Sequence, residues 1–209
     1  MKKIQDHFPA IVFDFGGVLF DWNPRYLYRH YFPGDEQAME RFLDEIQFDE
    51  WNRQQDIGRP FSEAVIELSQ RFPQYAGLIK AFDTRWEETL AGVFPQSVAI
   101  LECLYQAGYP LYALSNWSVE KFHLVRQRYD FLNWFNAIII SGEARLAKPD
   151  PEIFHYFLNT IQREPQECLF IDDAAMNIAV AWELGFQALR FQSSEILALD
   201  LKKAGILAA

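Results

Sequence analysis

Apolar residues in this chain gather into short runs, each ending on a small or polar residue. Such runs span residues 11–14, 111–115, 137–141, 168–172 and 187–191, and their Val, Ile, Leu and Phe content marks them as strands. Within each run the apolar side chains are largely successive rather than alternating, as in a strand covered by helices on both faces. Between the later runs the apolar spacing becomes helical, over residues 95–107, 118–129, 151–161 and 174–184. Pro151 suits a first helical turn, and Gly108 and Gly185 suit helix ends. Strand and helix alternating in this way predict an α/β fold built on a doubly wound parallel sheet.

Residues 22–91 break that rhythm. They show no convincing strand and read as helical segments punctuated by Pro24, Pro33-Gly34, Gly58-Arg59-Pro60, Pro73 and Gly77. A parallel crossover needs only about a dozen residues, so most of this stretch is surplus to connecting two strands. It is predicted to be an all-helical cap inserted after the first strand, over the carboxyl ends of the sheet, where a lid or specificity element would sit. The predicted division is a core of residues 1–20 and 92–209 with a cap of residues 21–91.

Composition narrows the partners. Half of the 209 residues are apolar, enough for a sizeable core and against wholesale disorder. The net charge of −10 argues against nucleic acid or an anionic membrane as partner. An anionic substrate would then need a local positive site set against the global field. No long uncharged apolar run predicts a membrane span, and residues 1–10 show no apolar signal segment, so a cytoplasmic location is expected. The only cysteines, Cys103 and Cys168, lack metal-ligand spacing and are expected to be buried, reduced thiols.

Chemistry enters at the strand ends. Asp14 closes the first strand and faces the turn Phe15-Gly16-Gly17-Val18. A buried carboxylate without a partner costs several kcal/mol, so Asp14 needs a metal, a cation or hydrogen-bond donors. The same sheet edge offers Ser115 and Asn116 after the second strand, Lys148 after the third, and Asp172-Asp173 after the fourth. Each alone is commonplace: Ser-Asn is an ordinary helix cap, and Asp-Asp before a helix often complements its dipole. Together they form a hard oxygen site suited to Mg²⁺ and substrate phosphate. Asp14 is the candidate nucleophile and a metal ligand. Ser115, with Asn116 beside it, and Lys148 are the candidate phosphate binders, Lys148 adding positive charge where charge develops.

Four motifs in this order resemble the haloacid dehalogenase-like hydrolase superfamily. They are residues 13–19 (Phe-Asp-Phe-Gly-Gly-Val-Leu), Leu114-Ser115-Asn116, Lys148-Pro149, and residues 170–173 (Phe-Ile-Asp-Asp) with Asn177-Ile178. The resemblance spans the whole chain. It implies a Rossmann-like core, Mg²⁺ as cofactor, Asp14 as nucleophile, Ser115 and Lys148 on phosphate, and Asp173 as chief metal ligand. It also implies the backbone carbonyl of Gly16 as a metal ligand, and Asp172 as a further or supporting one. Within the insert, residues 50–53 (Glu-Trp-Asn-Arg) and Asp56-Ile57-Gly58 resemble the cap of small sugar phosphatases, including the glucose-1-phosphate phosphatase type. The expected substrate is therefore a small phosphorylated metabolite, with a sugar phosphate as the expected kind.

One departure matters. Most phosphatases of this superfamily carry a second Asp two residues after the nucleophile, as general acid and base; here that position is Gly16. Such a group typically contributes about 10²–10⁴-fold, and the glucose-1-phosphate phosphatase group also resembles this chain in lacking it. Good leaving groups need the acid least, which keeps open a metal-independent 2-haloacid dehalogenase. That subfamily usually carries Tyr at the Gly16 position and Ser-Asn in the fourth motif, where this chain has Asp172-Asp173. A catalytically silent binding protein with the same fold is a third reading. Asp21 is a candidate replacement acid, and Trp22, Arg25, Trp51, Arg53 and Arg59 are candidates for substrate selection. His7, His30, His123 and His155 show no metal spacing; His30 in the insert is a possible substrate contact.

Overall fold

The computed structural model describes residues 9–208. The chain opens with β1 (Ala10–Phe13), turns into β2 (Phe20–Trp22), and runs through α1 (Pro24–Tyr28), α2 (Glu36–Glu45), α3 (Phe48–Asp56), α4 (Phe61–Arg71) and α5 (Ala76–Thr84). It returns along β3 (Leu90–Val93) to α6 (Pro95–Gln106), β4 (Leu111–Ser115), α7 (Val119–Arg126), β5 (Ala137–Ile140) and the short α8 (Ser141–Ala144). The remainder is α9 (Pro151–Ile161), β6 (Cys168–Asp172), α10 (Ala175–Glu183), β7 (Gln187–Arg190) and α11 (Ser194–Lys203).

Five strands form one parallel sheet in the order β5-β4-β1-β6-β7. The chain builds outward from β1 to β5, then crosses to the other side of β1 to lay down β6 and β7. β1, β4 and β6 therefore flank the point where strand order reverses, and the crevice beyond their carboxyl ends is where such sheets bind ligands. Successive β1 residues feed opposite faces: Ile11 and Phe13 join one core, Ala10 and Val12 the other. β6 does the same with Leu169 and Ile171 against Cys168 and Phe170. This double burial is the physical origin of the continuous apolar runs.

The insert is helical between its ends, and an aromatic cluster holds it together. Phe82 lies 4.9 Å from Phe48, 5.6 Å from Trp51 and 5.9 Å from Phe61, centroid to centroid. Polar contacts at the start of α7 help seat the insert on the core. Buried Lys121 reaches the Asp83 carboxylate at 2.6 Å, and Glu120 accepts the Phe61 N–H at 3.0 Å.

Several expectations are corrected. Residues 22–91 do contain strand: Trp22 closes β2 and β3 begins at Leu90, the two pairing antiparallel as a short ribbon at the base of the insert. Three- and four-residue strands with a register shift between Asp21 and Trp22 leave almost no alternation to read. β7 is an edge strand with exposed ends rather than one covered on both faces. Helix α11 was not anticipated from the pattern. Cys103 is exposed on α6, whereas Cys168 is buried as expected.

Phe82→Ala removes the ring at the centre of the aromatic cluster and should cost about 3–5 kcal/mol. Urea unfolding followed by tryptophan fluorescence would read this as a lower midpoint at unchanged slope.

Candidate active site

The β1–β2 connection is shaped for close approach. The Phe15 carbonyl accepts the N–H groups of Val18, Leu19 and Phe20, folding the chain back directly after Asp14. Gly17 adopts φ +72°, and a Cβ there would stand 2.3 Å from Asp173 Oδ2. Only glycine lets the turn pass so close to that carboxylate. Gly16 differs: a Cβ there would meet nothing within 4 Å.

Lys148 occupies the centre. Its Nζ lies 2.6 Å from Asp172 Oδ2 and 3.0 Å from Asp14 Oδ1, and donates to the Leu114 carbonyl at 2.7 Å. All three donor positions of the ammonium are thereby used. Asn116 holds the lysine from behind: its amide donates to the Lys148 carbonyl and accepts the Lys148 N–H, both at 2.9 Å. Asp172 is fixed by the Ala174 N–H at 2.8 Å and by the Asn177 amide at 2.9 Å to each oxygen. Asp14 accepts the Phe15 N–H at 2.7 Å and is also bonded by the Ser115 side chain. Asp173 stands at the exposed rim.

The electrostatics follow from burial and crowding. Burial pushes the Asp14 carboxyl up to about 7; Lys148 opposes the shift and the charge of Asp172 adds to it. Burial and the neighbouring Asp172 likewise raise Asp173. For Lys148, burial works against the charge, but Asp14 and Asp172 outweigh it and hold its pKa above the ordinary lysine value. Asp14, Asp172 and Asp173 each offer an oxygen within 4.8 Å of the others. Three converging carboxylates against one lysine leave negative charge uncompensated. An all-oxygen donor set in that state fits a hard divalent cation.

The profile of the haloacid dehalogenase-like hydrolases matches residues 8–185. The chain belongs to this family. A sesquiterpene phosphatase of Aspergillus oryzae is 27% identical over 208 residues, spanning 94% of this chain and 96% of its own length. An (S)-2-haloacid dehalogenase of a Pseudomonas species is 25% identical over 196 residues, spanning 89% of this chain and 85% of its own length. A family enzyme of Bacteroides thetaiotaomicron, solved with magnesium and inorganic phosphate, superposes with a TM-score of 0.68 at 26% identity, over 88% of this chain and 94% of that one.

In this haloacid dehalogenase-like hydrolase a cleft partly open to solvent lies between insert and core. Trp22, Phe61, Trp86 and Trp117 supply aromatic walls. Gly16 and Asn116 bring the cleft to the carboxylate site, and Asn52, Asp56 and Ser118 add polar groups. The buried Trp117 indole N–H has no hydrogen-bond partner among the described residues.

The structure brings Asp14, Ser115, Asn116, Lys148, Asp172 and Asp173 to one sheet edge, with Gly16 beside them. It separates most cap candidates from the cleft. Trp51 is buried in the aromatic cluster, its indole donating to the Ala64 carbonyl. Arg25 pairs with Glu40, Arg53 with Glu50, and Arg59 with Glu67. Asp21 accepts the Tyr26 hydroxyl at 2.8 Å, His30 is exposed near Glu88, and His123 and His155 are exposed. His7 lies outside the described residues. Of the cap candidates only Trp22 lines the cleft. Trp86, Trp117, Phe61 and Asn52 were not anticipated there. Asn52 and Asp56 carried a weak signal, two polar groups four apart on one helix face.

Lys148→Ala would leave Asp14 and Asp172 buried against each other and should cost about 3–5 kcal/mol near neutral pH, measured by chemical unfolding. A carboxyl whose pKa is raised in the fold binds its proton more tightly there than in the unfolded chain. The stability this contributes is complete below the unfolded value of 3.8 and is lost as pH rises through about 7. Chelator-treated protein should therefore unfold at a lower temperature at about pH 8 than at about pH 5. Asp14→Asn should flatten that dependence, and a divalent cation should restore more stability at the higher pH.

Proposed function

We propose that this chain is a Mg²⁺-dependent phosphatase of small phosphate monoesters that works through an aspartyl phosphate on Asp14. The observation that carries this reading is the Asp14–Lys148–Asp172 chain with Asp173 converging on it. Asp14, Asp173 and the Gly16 carbonyl would hold the cation, with Asp172 orienting Lys148. When bound, the cation supplies charge neutralisation between the carboxylates and the phosphoryl oxygens.

The remaining chemistry belongs to the chain. The Ser115 hydroxyl binds a phosphoryl oxygen, and Lys148 lends the phosphate positive charge while opposing the burial that favours protonated Asp14. Asp14 attacks phosphorus and the leaving alkoxide departs; water then cleaves the acyl phosphate. The surrounding burial makes each fixed charge worth more than in water. Residues 21–91 act as the cap, closing the cleft and keeping bulk water from the intermediate.

The aromatic walls support a flat or apolar leaving group. A sugar face could stack on Trp22, but a polyhydroxylated group would find few partners among Trp86, Trp117 and Phe61. The similarity to a sesquiterpene phosphatase along nearly the full length points the same way.

Dehalogenation is the second reading, favoured by Gly16 and by the haloacid dehalogenase relative. Asp172 and Asp173 weigh against it, since they would repel a haloacid carboxylate.

With Mg²⁺ and a panel of phosphorylated metabolites that includes apolar and aromatic esters, phosphate release should be abolished by Asp14→Asn and reversibly suppressed by EDTA. Halide release from a 2-haloacid at full rate in EDTA would replace the phosphatase reading with the dehalogenase one. Binding of phosphorylated ligands without turnover of any would replace it with a silent binding protein.

A further inference from the structure

Gly16 leaves the nucleophile without the acid and base expected two residues along, yet a leaving alcohol still needs a proton. Among the described residues lining the cleft, Asp56 is the one ionisable side chain. It ends α3 in the insert and reaches the same cleft that Gly16 borders from the core.

Its setting differs from that of a surface carboxylate. The Asn52 amide donates to Oδ2 at 3.0 Å, and the Ser118 N–H bonds the carboxyl from the core. No cation pairs with it among the described residues: Lys121 pairs with Asp83 and Arg59 with Glu67. The Ser141 hydroxyl anchors the Asp56 backbone carbonyl, so the carboxyl is held from both insert and core. Two hydrogen bonds leave acceptor or donor capacity on a carboxyl group.

We propose that Asp56 is the acid–base group of this active site, supplied by the insert in place of the missing core carboxylate. This assignment rests on the phosphatase reading. As Asp14 forms its bond to phosphorus, the bond from phosphorus to the leaving oxygen breaks. That oxygen keeps the electron pair and takes the proton of the Asp56 carboxylic acid. The Asp56 carboxylate then accepts a proton from the water that attacks the aspartyl phosphate, which returns Asp14 and releases phosphate. The protons balance over one turnover. Burial, opposed by the Ser118 N–H, raises the Asp56 carboxyl to about 7, where both forms are present near neutral pH. The catalytic group then arrives with the cap, which couples protonation to closure. The open space at Gly16 is the room that a leaving group occupies in this arrangement.

The test is single-turnover phenol release from aryl phosphates whose phenols run from strongly to weakly acidic, with Mg²⁺, in wild type and Asp56→Asn. Single turnover isolates the first step. The expected result is a steeper dependence on phenol acidity in D56N, with losses growing to about 10²–10⁴-fold for the weakest acids. Asp56→Glu should keep the shallow dependence, and it carries the test if D56N does not fold. Gly16→Asp placed in D56N should flatten the dependence again, since a side chain fits there. Equal loss across the series, no loss, or a steep dependence in D56E would each overturn the assignment. Wild type that releases no phenol from any ester would instead overturn the phosphatase reading.

Discussion

Lys148 stands between two buried carboxylates, and the rest of the site depends on that arrangement. An ammonium that is 3% exposed would be strongly destabilising alone, as would Asp14 or Asp172 beside each other. Each is tolerable only because the others are there. Around them the fold spends polar groups on fixing position: Asn116 clasps the Lys148 backbone, while Asn177 and the Ala174 N–H hold Asp172. The place of Asp14 is thus determined by a network, not by one contact.

The sheet explains why such a network can exist at all. β1, β4 and β6 are hydrogen-bonded neighbours, so their carboxyl ends lie side by side although 158 residues separate Asp14 from Asp172. Burial on both faces makes the strands rigid, which keeps charged side chains at their tips from relaxing apart. The insert's aromatic cluster is continuous with the core on one face of the sheet, and polar contacts such as Lys121 with Asp83 and Glu120 with the Phe61 N–H add to the join. Charged side chains at the strand ends beside an insert that walls the cleft suit chemistry that must admit a substrate and then exclude water.

The same division accounts for Gly16. Its neighbour Gly17 is demanded by geometry, since any side chain there would collide with Asp173. Gly16 is under no such constraint, and its smallness leaves volume in the cleft. The site has space at Gly16, and the aromatic walls and Asp56 of the insert line the same cleft.

By itself the sequence determined the parallel α/β core, the position of the helical insert and the strand-end residues, because these follow from local apolar period and short motifs. Strands buried on both faces announce themselves as continuous apolar runs; Asp14, Ser115 and Asp172 sit directly at or after their ends, while Lys148 comes later, beyond β5 and α8. Tertiary structure alone decided what each group touches. Trp51 and Trp117 are both aromatic residues beside polar ones, yet one packs into the cap core and the other walls the cleft. The β2–β3 ribbon joins segments nearly 70 residues apart, and Asp56 and Gly16 line one cleft only because insert and core pack together. Contacts of that kind come from packing between distant segments, for which local period carries no signal.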